Sequence, residues 1–408
     1  MADSPVFHLD VNTQIHTSAA YHVLTKPSGS ACNLDCRYCF YLSRKNLYPD
    51  STFRMTEELL ETYIRQLIEA HQAPEILFIW QGGEPTLMGL NFFRRAIELQ
   101  NKYHKPGTRI RNAMQTNGTM LNEEWCRFFY RHNFLIGVSL DGPRPFHDAF
   151  RLDKTGSPTF DRVTRGITLL RNHQVEFNIL AAVHAASAGH GLQIYRFFRD
   201  RIQARMIQFI PIVERDAGAG LQDGGKVTKR SISGSQYGEF LISIFNEWVR
   251  RDVGRIFVQI FDVALGVWFG HPSSLCIFSR TCGDAPALEH NGDLFSCDHF
   301  VEPRHKLGNI MDRPLSELLA SNRQIKFGQD KLNTLPNICR KCGVRFICNG
   351  GCPKDRFLYT DDREPGLNFL CEGYQAFFSH IDRPMQIMAA LLGQRCSPAG
   401  IMTMIRGK

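Results

Sequence analysis

The feature that most constrains the fold of this chain is an alternation of β-rich runs with amphipathic helical stretches between residue 21 and about residue 215. The candidate strands are rich in β-branched and aromatic residues and lie at residues 21–25, 75–80, 111–116, 134–140, 176–183 and 206–210. The clearest helical patterns lie at residues 56–71, 122–132 and 159–173, and Thr56 is well placed to cap the first helix. Repeated strand-helix units predict an α/β fold whose parallel sheet curls into a partial or full barrel.

Four polar segments are predicted to meet at one end of this sheet. In barrels of this kind, the working groups lie on loops at the carboxyl ends of the strands. Three candidate strands end in such loops, which are GGEP (residues 82–85), TNG (residues 116–118) and SLDGP (residues 139–143). A cysteine-rich stretch, CNLDCRYCFY at residues 32–41, follows the first strand. We therefore expect all four segments to face one cavity.

Three cysteines of that stretch, Cys32, Cys36 and Cys39, are separated by gaps of three and two residues. An electron-carrying iron-sulfur cubane has a thiolate on each of its irons. Three thiols from one loop would leave one iron open, so that a small molecule could bind it. A structural zinc ion that takes a fourth ligand from elsewhere is the alternative that this spacing leaves open.

Composition and charge exclude only broad classes of function. The chain has 408 residues, of which 43% are hydrophobic, and its formal net charge of +8 is spread along the sequence, which favours a solvated surface over a nucleic-acid site. Residues 1–20 lack a basic start and an apolar run, and no apolar stretch of about 18 residues occurs, which predicts a cytoplasmic protein without a membrane segment. In a reducing compartment, 13 cysteines point to metal or redox chemistry rather than to disulfides.

The pattern changes after residue 215. Residues 216–235 are rich in glycine and serine and predict a linker, and residues 236–251 predict a helix. Asn291-Gly292 predicts a hairpin turn between strands at residues 287–290 and 294–297. This region also contains clustered cysteines, enough for two metal sites of four ligands, namely Cys276, Cys282, Cys297, Cys339, Cys342, Cys348, Cys352 and Cys371. Their composition alone does not separate zinc from iron.

The triplet spacing, with an aromatic residue before its last cysteine, resembles the signature of radical S-adenosylmethionine (radical SAM) enzymes. The resemblance implies a partial (β/α)6 barrel and a [4Fe-4S] cluster on Cys32, Cys36 and Cys39 whose open iron binds S-adenosyl-L-methionine (SAM). GGEP is similar to the family element that receives the SAM amino group, and its paired glycines let the backbone approach a ligand closely.

The same resemblance assigns SAM or substrate contacts to several residues around the predicted cavity, namely Tyr38, Tyr41, Gln81, Gly82, Gly83, Glu84, Asn117, Ser139 and Asp141. For the residues of TNG and SLDGP, turn formation without a ligand is an equally good explanation. Tyr41 and Gln81 could also be ordinary packing residues.

The later cysteines resemble the SPASM domain of peptide-modifying radical SAM enzymes. The resemblance implies two auxiliary [4Fe-4S] clusters and therefore three clusters in all. By analogy, one auxiliary cluster takes Cys276, Cys282, Cys297 and Cys352, and the other takes Cys339, Cys342, Cys348 and Cys371. Sequence order alone would have grouped residues 339–352 as one site. The implied domains are a radical SAM partial barrel (residues 21–235), a helical connection (236–270), a SPASM domain (271–375) and a C-terminal helical tail (376–408).

The combination of CNLDCRYCFY, QGGEPTL, SLDGP and CDHF (residues 297–300) is similar to the anaerobic sulfatase-maturating enzymes over roughly residues 21–375. That family oxidises a cysteine or serine of a sulfatase polypeptide to Cα-formylglycine. The resemblance implies a 5′-deoxyadenosyl radical that takes a hydrogen from Cβ, auxiliary clusters that accept an electron, and a carboxylate base. Asp298 is the expected base, with a pKa raised by the negative cluster beside it, and His299 is a weaker alternative.

The resemblance also implies an unfolded or nascent sulfatase polypeptide as substrate and a flavodoxin or ferredoxin as electron donor, with no nucleic-acid or membrane partner. One alternative is another SPASM enzyme that forms a thioether or carbon-carbon crosslink in a peptide. Such enzymes often carry an added recognition domain, for which the segment before residue 21 is short. A non-catalytic iron-sulfur carrier or zinc scaffold would not explain an incomplete triplet beside GGEP. Cys126 is expected to be a packing residue, and Cys396 has no expected role.

Overall fold

The computed structural model describes residues 21–216 and 226–406 of the chain. Three predictions concern residues outside these ranges: the absence of a signal sequence in residues 1–20, the linker residues 217–225, and the last two residues of the C-terminal tail.

The strands of the described ranges are β1 (Leu24–Lys26), β2 (Glu75–Trp80), β3 (Arg109–Thr116), β4 (Phe134–Ser139), β5 (Phe177–Val183), β6 (Met206–Pro211), β7 (Phe257–Val258), β8 (Ala287–Glu289), β9 (Asp293–Phe295), β10 (Lys306–Asn309), β11 (Leu358–Tyr359) and β12 (Pro365–Leu367). All but the last two form one sheet, in the order β10-β9-β8-β1-β2-β3-β4-β5-β6-β7. From β1 to β7, neighbouring strands are parallel and follow the order of the chain. This open, sequentially ordered parallel sheet is that of a partial barrel, which confirms the predicted fold class.

The helices are α1 (Glu57–Ala70), α2 (Leu90–Tyr103), α3 (Glu123–Arg131), α4 (Arg144–His147), α5 (Phe160–Asn172), α6 (Gly191–Arg196), α7 (Gly234–Arg251), α8 (Gln259–Trp268), α9 (Leu315–Leu319), α10 (Asn322–Asn333), α11 (Asn337–Arg340), α12 (Arg345–Cys348), α13 (Cys371–Gly393) and α14 (Ile401–Arg406). Within the described ranges, none of them combines the length and apolar character needed to cross a bilayer.

The sequence patterns located the barrel elements well. All six predicted strands are present, and the largest error is at β1, which begins at Leu24 instead of residue 21. Thr56 caps α1, because its Oγ1 accepts a hydrogen bond from Leu59 N at 3.2 Å. The predicted hairpin is also confirmed, since β8 and β9 pair in antiparallel fashion.

The main core lies between the sheet and its covering helices. Tyr63 of α1, Phe78 and Trp80 of β2 and Phe93 of α2 are fully buried, and Trp80 packs edge-on against Tyr63 and Phe93 with ring centroids 6.0 and 5.6 Å apart. Burying such large rings is the main stabilising contribution here, worth roughly 1.5–3 kcal/mol for each side chain. The core therefore fixes the strands whose carboxyl ends carry the polar loops.

Strand pairing and close helix packing are among the contacts that join the cysteine-rich region to the rest of the chain. β8 pairs in parallel with β1, so the hairpin extends the barrel sheet beyond its first strand. Helix α13 packs against α7 so closely that a Cβ on Gly373 would lie 1.9 Å from the carbonyl oxygen of Gly234. Only glycine permits this approach, and neither contact was predicted from the sequence.

Candidate active site

The loop after β1 carries the cysteine triplet and packs backbone to backbone against GGEP. Gly83 N donates to the Gly29 carbonyl at 2.7 Å, and Glu84 N donates to the Ala31 carbonyl at 2.8 Å. A Cβ on Gly83 would lie 2.0 Å from the Ala31 carbonyl oxygen, so only glycine fits there. Gly82 has a φ of 131°, a conformation that also favours glycine. The paired glycines thus position the cysteine loop itself.

Glu84 is fully buried and connects GGEP to TNG. Its Oε1 accepts from Thr86 N at 3.0 Å, Thr86 Oγ1 at 2.7 Å and Thr116 Oγ1 at 2.8 Å, and its Oε2 accepts from Asn117 N at 2.8 Å. Burial raises the pKa of the Glu84 carboxyl, and these hydrogen bonds offset part of that rise. The carboxylate braces two loops in this structure, and its contact with a SAM amino group stays a prediction.

Asn117 extends this brace to the cysteine loop. Its Nδ2 donates to Asn33 Oδ1 at 2.8 Å and lies 3.8 Å from Cys32 Sγ. Its Oδ1 accepts from Thr119 N at 3.0 Å, which closes the local turn. Asn117 therefore forms a turn and contacts the triplet at the same time.

Asp141 of SLDGP is buried and holds the aromatic residue that precedes Cys39. Its carboxylate accepts hydrogen bonds from the Tyr38 hydroxyl, from Arg151 Nε at 3.0 Å and from Ala182 N at 2.9 Å. The Arg151 guanidinium also lies over the Tyr38 ring, 5.5 Å from its centroid. Burial raises the pKa of Tyr38 well above its usual value, so its hydroxyl stays protonated and donates.

The three thiols of the loop are close enough for charge on one to affect another. Burial raises the pKa of Cys32 to about 11 and that of Cys36 to about 12. Thiolates are the form that binds metal, so these thiols need the positive charge of a bound metal to ionise near neutral pH. The structure thus brings Cys32, Cys36 and Cys39 together beside GGEP and TNG.

A row of amide side chains crosses β3 to β5 next to SLDGP. Gln115, Gly137 and Asn178 are in register on these neighbouring strands. A Cβ on Gly137 would lie 2.1 Å from Gln115 Oε1, so the Gln115 side chain lies across the glycine, and its Nε2 donates to Ser139 Oγ at 3.1 Å. Ser139 is therefore oriented by a residue that sequence analysis did not identify. Gln81, directly after β2, is half-buried.

The structure brings the C-terminal cysteines close together in two places, and their grouping as cluster ligands stays a prediction. We call Cys276, Cys282, Cys297 and Cys352 the first thiol group, and Cys339, Cys342, Cys348 and Cys371 the second thiol group. In the first group, burial raises the pKa of Cys297, and negative charge on Cys352 or Cys276 would raise that pKa further. Negative charge on Cys282 would raise the pKa of Cys352 in the same way. These thiols are therefore close enough to interact. The four cysteines of the second group line one cavity of about 350 Å³.

A buried cation, Lys331, and a half-buried one, Arg356, accompany these thiol groups. Lys331 Nζ donates to the carbonyl oxygens of Cys276 at 2.6 Å and Ile277 at 3.0 Å. Arg356 donates to the carbonyls of Gly350 at 2.9 Å and Asn349 at 2.6 Å, between the two groups. Burial lowers the pKa of both side chains, and nearby cysteines raise it. These cations offset thiolate charge, and no local sequence signal marked them.

In residues 21–216 and 226–406, no three Cys, His, Asp or Glu side chains are placed to hold one metal ion. A zinc site brings its sulfur ligands within about 2.3 Å of one point, whereas a cubane gives each thiolate a separate iron.

Asp298 lies in a short turn of helix (Asp298–Phe300) and forms a buried ion pair with Lys26 of β1. Lys26 Nζ also lies 4.4 Å from the centroid of the Tyr41 ring, whose hydroxyl donates to Glu289. The pairing of β1 with β8 sets Lys26 opposite Glu289. Asp298 and Tyr41 therefore share one buried polar network, centred on a lysine that sequence analysis missed.

The protein groups around Asp298 lower the pKa of its carboxyl, and its expected rise beside a negative cluster stays a prediction. Burial is the largest single influence and raises this pKa, but the charges of Lys26, His299 and Arg44 and the hydrogen bond from Lys26 together outweigh burial. The sequence did not indicate Lys26 as a partner of Asp298, because the two residues lie 272 residues apart in the chain. Burial lowers the pKa of His299 to about 4, and its ring contacts that of Phe40, with centroids 5.0 Å apart. Asp298 is thus an ionised carboxylate, next to a histidine that contacts the triplet loop.

The two remaining cysteines lie outside these groups. Cys126 lies on the buried face of α3 and is part of the core, which confirms its predicted packing role. Cys396 is exposed.

Comparison with known sequences matches two parts of this chain to described families. Residues 27–185 match the radical SAM superfamily, and residues 282–343 match SPASM, an iron-sulfur cluster-binding domain. The first match contains the cysteine triplet, GGEP, TNG and SLDGP. The second contains members of both thiol groups and Asp298.

Similarity to characterised proteins extends over nearly the whole chain. The serine-type anaerobic sulfatase-maturating enzyme of Bacteroides thetaiotaomicron is 45% identical over 395 residues, which cover 94% of this chain and 95% of that enzyme. The cysteine-type anaerobic sulfatase-maturating enzyme of Clostridium perfringens is 34% identical over 361 residues, with coverage of 88% and 95%. A structure of anSMEcpe with bound AdoMet and Kp18Cys peptide has a TM-score of 0.81 and 32% identity, and covers 90% of this chain and 99% of that one.

Proposed function

Because this chain belongs to the anaerobic sulfatase-maturating enzymes, radical SAM proteins with a SPASM domain, we propose that it oxidises a serine or cysteine side chain of a sulfatase polypeptide to Cα-formylglycine. The observation that carries this proposal is the 45% identity over 94% of the chain and 95% of a serine-type enzyme. The chain is a radical SAM enzyme that uses SAM and iron-sulfur clusters.

We place one [4Fe-4S] cluster on Cys32, Cys36 and Cys39 and one on each thiol group, which gives three clusters. Cys32, Cys36 and Cys39 would hold the cluster that binds SAM, and SAM there would supply the radical chemistry that removes one hydrogen atom from Cβ of the target residue. The chain's own side chains prepare this step. Gly83 allows the close approach of the triplet loop, Glu84 braces it, and Gln115 orients Ser139 toward its predicted SAM contact. The remaining predicted contacts with SAM or substrate are those of Tyr38, Tyr41, Gln81, Gly82, Asn117 and Asp141.

Asp298 is the proposed acceptor of the proton that leaves the substrate. Its position supports this role, because it follows Cys297 of the first thiol group and its neighbour His299 contacts Phe40 of the triplet loop. The ion pair with Lys26 keeps the carboxylate ionised and fixed in orientation. We expect Asp298→Asn to cleave SAM and yet form at most about one hundredth of the normal aldehyde, within the usual contribution of a general base. Normal aldehyde yield from this variant would remove Asp298 from the mechanism.

We further propose serine as the preferred target. The similar enzyme at 45% identity is serine-type, whereas the cysteine-type enzyme is 34% identical. The chemistry of the two targets differs only at the atom on Cβ, so the preference depends on the polar groups that surround that atom.

One experiment tests both the activity and the preference. The anaerobically reconstituted protein is incubated with SAM, dithionite and two sulfatase-derived peptides that differ only in Ser or Cys at the target, and the peptides are read by mass spectrometry. Aldehyde on the serine peptide, at a higher rate than on the cysteine peptide, is the expected result. Deoxyadenosine release with both peptides unchanged would instead favour a crosslinking SPASM enzyme.

Three further predictions go beyond the type of reaction. They concern the folding state of the substrate, the electron donor and the cellular location. An unfolded or nascent polypeptide is the proposed substrate, because the modified side chain of a sulfatase becomes buried when that enzyme folds. A prefolded sulfatase converted as fast as the peptide would contradict this. A flavodoxin or ferredoxin as donor and a cytoplasmic location stay predictions.

A further inference from the structure

The second thiol group lies close to the molecular surface. Cys339 and Cys348 are buried, whereas Cys342 and Cys371 are only half-buried. The cavity of about 350 Å³ that these cysteines line is bordered by Ile338, Lys341, Gly343 and Arg345, together with other residues of α11 to α13. Residues 337–346 therefore form a thin rim, which we call the outer rim, between this thiol group and solvent.

The outer rim exposes large apolar side chains. Ile338 is 56% exposed and Phe346 is 50% exposed. The Phe346 ring packs edge-on against Trp268 of α8, with centroids 4.8 Å apart, so it is held in place on the surface. Exposed aromatic and aliphatic side chains with a polar border are typical of protein-protein interaction sites.

The outer rim is also positively charged. Arg340 donates to the carbonyls of Leu335 at 3.0 Å and Asn333 at 2.8 Å, and Arg345 donates to the Arg340 carbonyl at 3.2 Å. Backbone carbonyls satisfy these guanidinium groups without neutralising them. In the described part of the chain, no carboxylate forms an ion pair with Arg340, Lys341 or Arg345.

One carboxylate borders this charge. Glu364 accepts from Asn337 N at 2.6 Å and so caps α11 from the side of the rim. Three cations against one carboxylate leave the outer rim with net positive charge, which would attract and orient an acidic partner.

The electron balance of the reaction indicates what an acidic partner would do at this surface. This step rests on the proposed function. Conversion of a serine CH2OH to CHO removes two electrons and two protons. One proton and one electron leave as the hydrogen atom that joins the 5′-deoxyadenosyl group, and SAM cleavage consumes one separate electron. The overall change is RCH2OH + SAM⁺ + e⁻ → RCHO + methionine + 5′-deoxyadenosine + H⁺ + e⁻. Each turnover therefore releases one electron that must leave the substrate.

We propose that the outer rim is the docking face for a small acidic flavin carrier of the flavodoxin class, which takes up this electron. The carrier flavin gains one electron and one solvent proton to form the neutral semiquinone, and the proton from the substrate passes to solvent. Ile338 and Phe346 provide the apolar centre of the interface. Arg340, Lys341 and Arg345 provide its charge complementarity.

The test compares two basic surfaces of the same protein. The outer rim is altered by Ile338→Glu/Lys341→Glu, two exposed side chains that have no hydrogen bond within the described chain. The matched control is Arg171→Glu/Arg255→Glu, in a cavity of about 1120 Å³ beside the start of β6 and β7 that is lined by six arginines. Iron content and the absorption spectrum of each variant establish that the clusters have assembled.

Binding to a purified acidic flavodoxin is measured for each protein by interferometry at low and moderate salt. Electron transfer is measured separately, by mixing reduced enzyme with oxidised flavodoxin and following the absorbance of the flavin semiquinone. We expect the outer-rim variant to bind flavodoxin at least tenfold more weakly and to form the semiquinone at least tenfold more slowly. The control variant should change each of these quantities less than twofold. Wild-type binding should weaken as salt rises.

Equal binding by wild type and the outer-rim variant, or a larger loss in the arginine-cavity control, would overturn the proposal. Salt-independent binding would overturn the electrostatic argument. Peptide oxidation driven by dithionite should be unchanged in the outer-rim variant. The dithionite assay separates the proposed function from the docking proposal. If wild-type protein forms no aldehyde with dithionite, the proposed function is contradicted. Binding and semiquinone formation need no peptide, so they test docking alone.

Discussion

The two cysteine-bearing regions of this molecule hold their thiols in different ways. The triplet occupies eight consecutive residues, and its neighbours are the amide of Asn117, the carboxylates of Glu84 and Asp141 and one cation, Arg151. The C-terminal thiol groups combine cysteines as far apart as residues 276 and 352, and their neighbours are the cations Lys331 and Arg356. A triplet with an open position needs polar groups for a ligand besides the charge of Arg151, and the eight thiols that we assign to two closed clusters need positive charge above all. Spacing therefore reveals the first kind of site, and only the fold reveals the second.

The largest effect is expected when the three cysteines of the triplet are replaced, and this change tests the difference between the two regions most directly. Cys32→Ala/Cys36→Ala/Cys39→Ala should abolish SAM cleavage, because no iron with an open position remains, and it should keep about two-thirds of the iron if three [4Fe-4S] clusters are present. Deoxyadenosine by chromatography and iron by chemical assay give the two readouts. The exposed Cys396 supplies the control, since Cys396→Ala should leave both unchanged. Surviving SAM cleavage in the triple variant would move the SAM site elsewhere.

The grouping of the later cysteines is tested by Cys352→Ala. If Cys352 belongs to the first thiol group, the variant loses the cluster beside Asp298 and about a third of the iron, and it still cleaves SAM. Aldehyde formation should fall at least tenfold, because an electron acceptor is lost. The electron paramagnetic resonance spectrum distinguishes the alternatives when Cys352→Ala is compared with Cys276→Ala and Cys339→Ala. A spectrum that matches Cys339→Ala instead of Cys276→Ala would restore the grouping by sequence order.

A smaller effect is expected where the triplet loop meets GGEP. In Gly83→Ala the new Cβ meets a backbone carbonyl at 2.0 Å, which no rotamer change relieves. Overpacking of this kind costs about 1–3 kcal/mol, so the loop should shift and SAM cleavage should fall about tenfold. Gly189→Ala is the control, because a Cβ there would have no heavy atom within 4 Å. Equal SAM cleavage by the two variants would show that the paired glycines do not position the loop.

Much of the barrel site followed from the sequence because its signals are local. Strand and helix periodicity located β2 to β6, and strand ends placed GGEP, TNG and SLDGP on one edge of the sheet. The brace from Glu84 to Asn117 follows once two neighbouring parallel strands carry these loops. Gln115 escaped notice because its role depends on the register with Gly137 on the next strand, which no pattern within one strand specifies.

The C-terminal region could be predicted less well from the sequence, because its contacts join residues that are distant in the chain. The ion pair of Lys26 with Asp298 depends on the pairing of β1 with β8, and that pairing joins segments more than 250 residues apart. Lys331 and Arg356 are ordinary basic residues in the sequence, and their burial beside thiols appears only in three dimensions. The resemblance to the SPASM domain supplied the grouping of cysteines that spacing could not.

A last prediction concerns how the triplet region responds to acid. Asp141, which holds Tyr38, is itself supported by His147, because Asp141 N lies 3.4 Å from His147 Nδ1 and His147 Nε2 lies 2.9 Å from Thr159 Oγ1. Burial lowers the pKa of His147 from 6.5 to about 4. Between these values the unfolded chain binds a proton that the folded chain does not, so this contribution to stability is complete above about pH 6.5 and falls as pH drops toward 4.

His147 alone should therefore make the cluster-free protein about 2 kcal/mol less stable at pH 5 than at pH 7. Asn at this position cannot gain a proton, so His147→Asn should be less stable than wild type at pH 7 but lose about 2 kcal/mol less on going to pH 5. Urea unfolding under anaerobic, reducing conditions at both pH values measures the difference, and the exposed His271→Asn serves as control. Equal losses in wild type and His147→Asn would mean that the support of Asp141 does not depend on a neutral His147, and that acid acts on the C-terminal region instead.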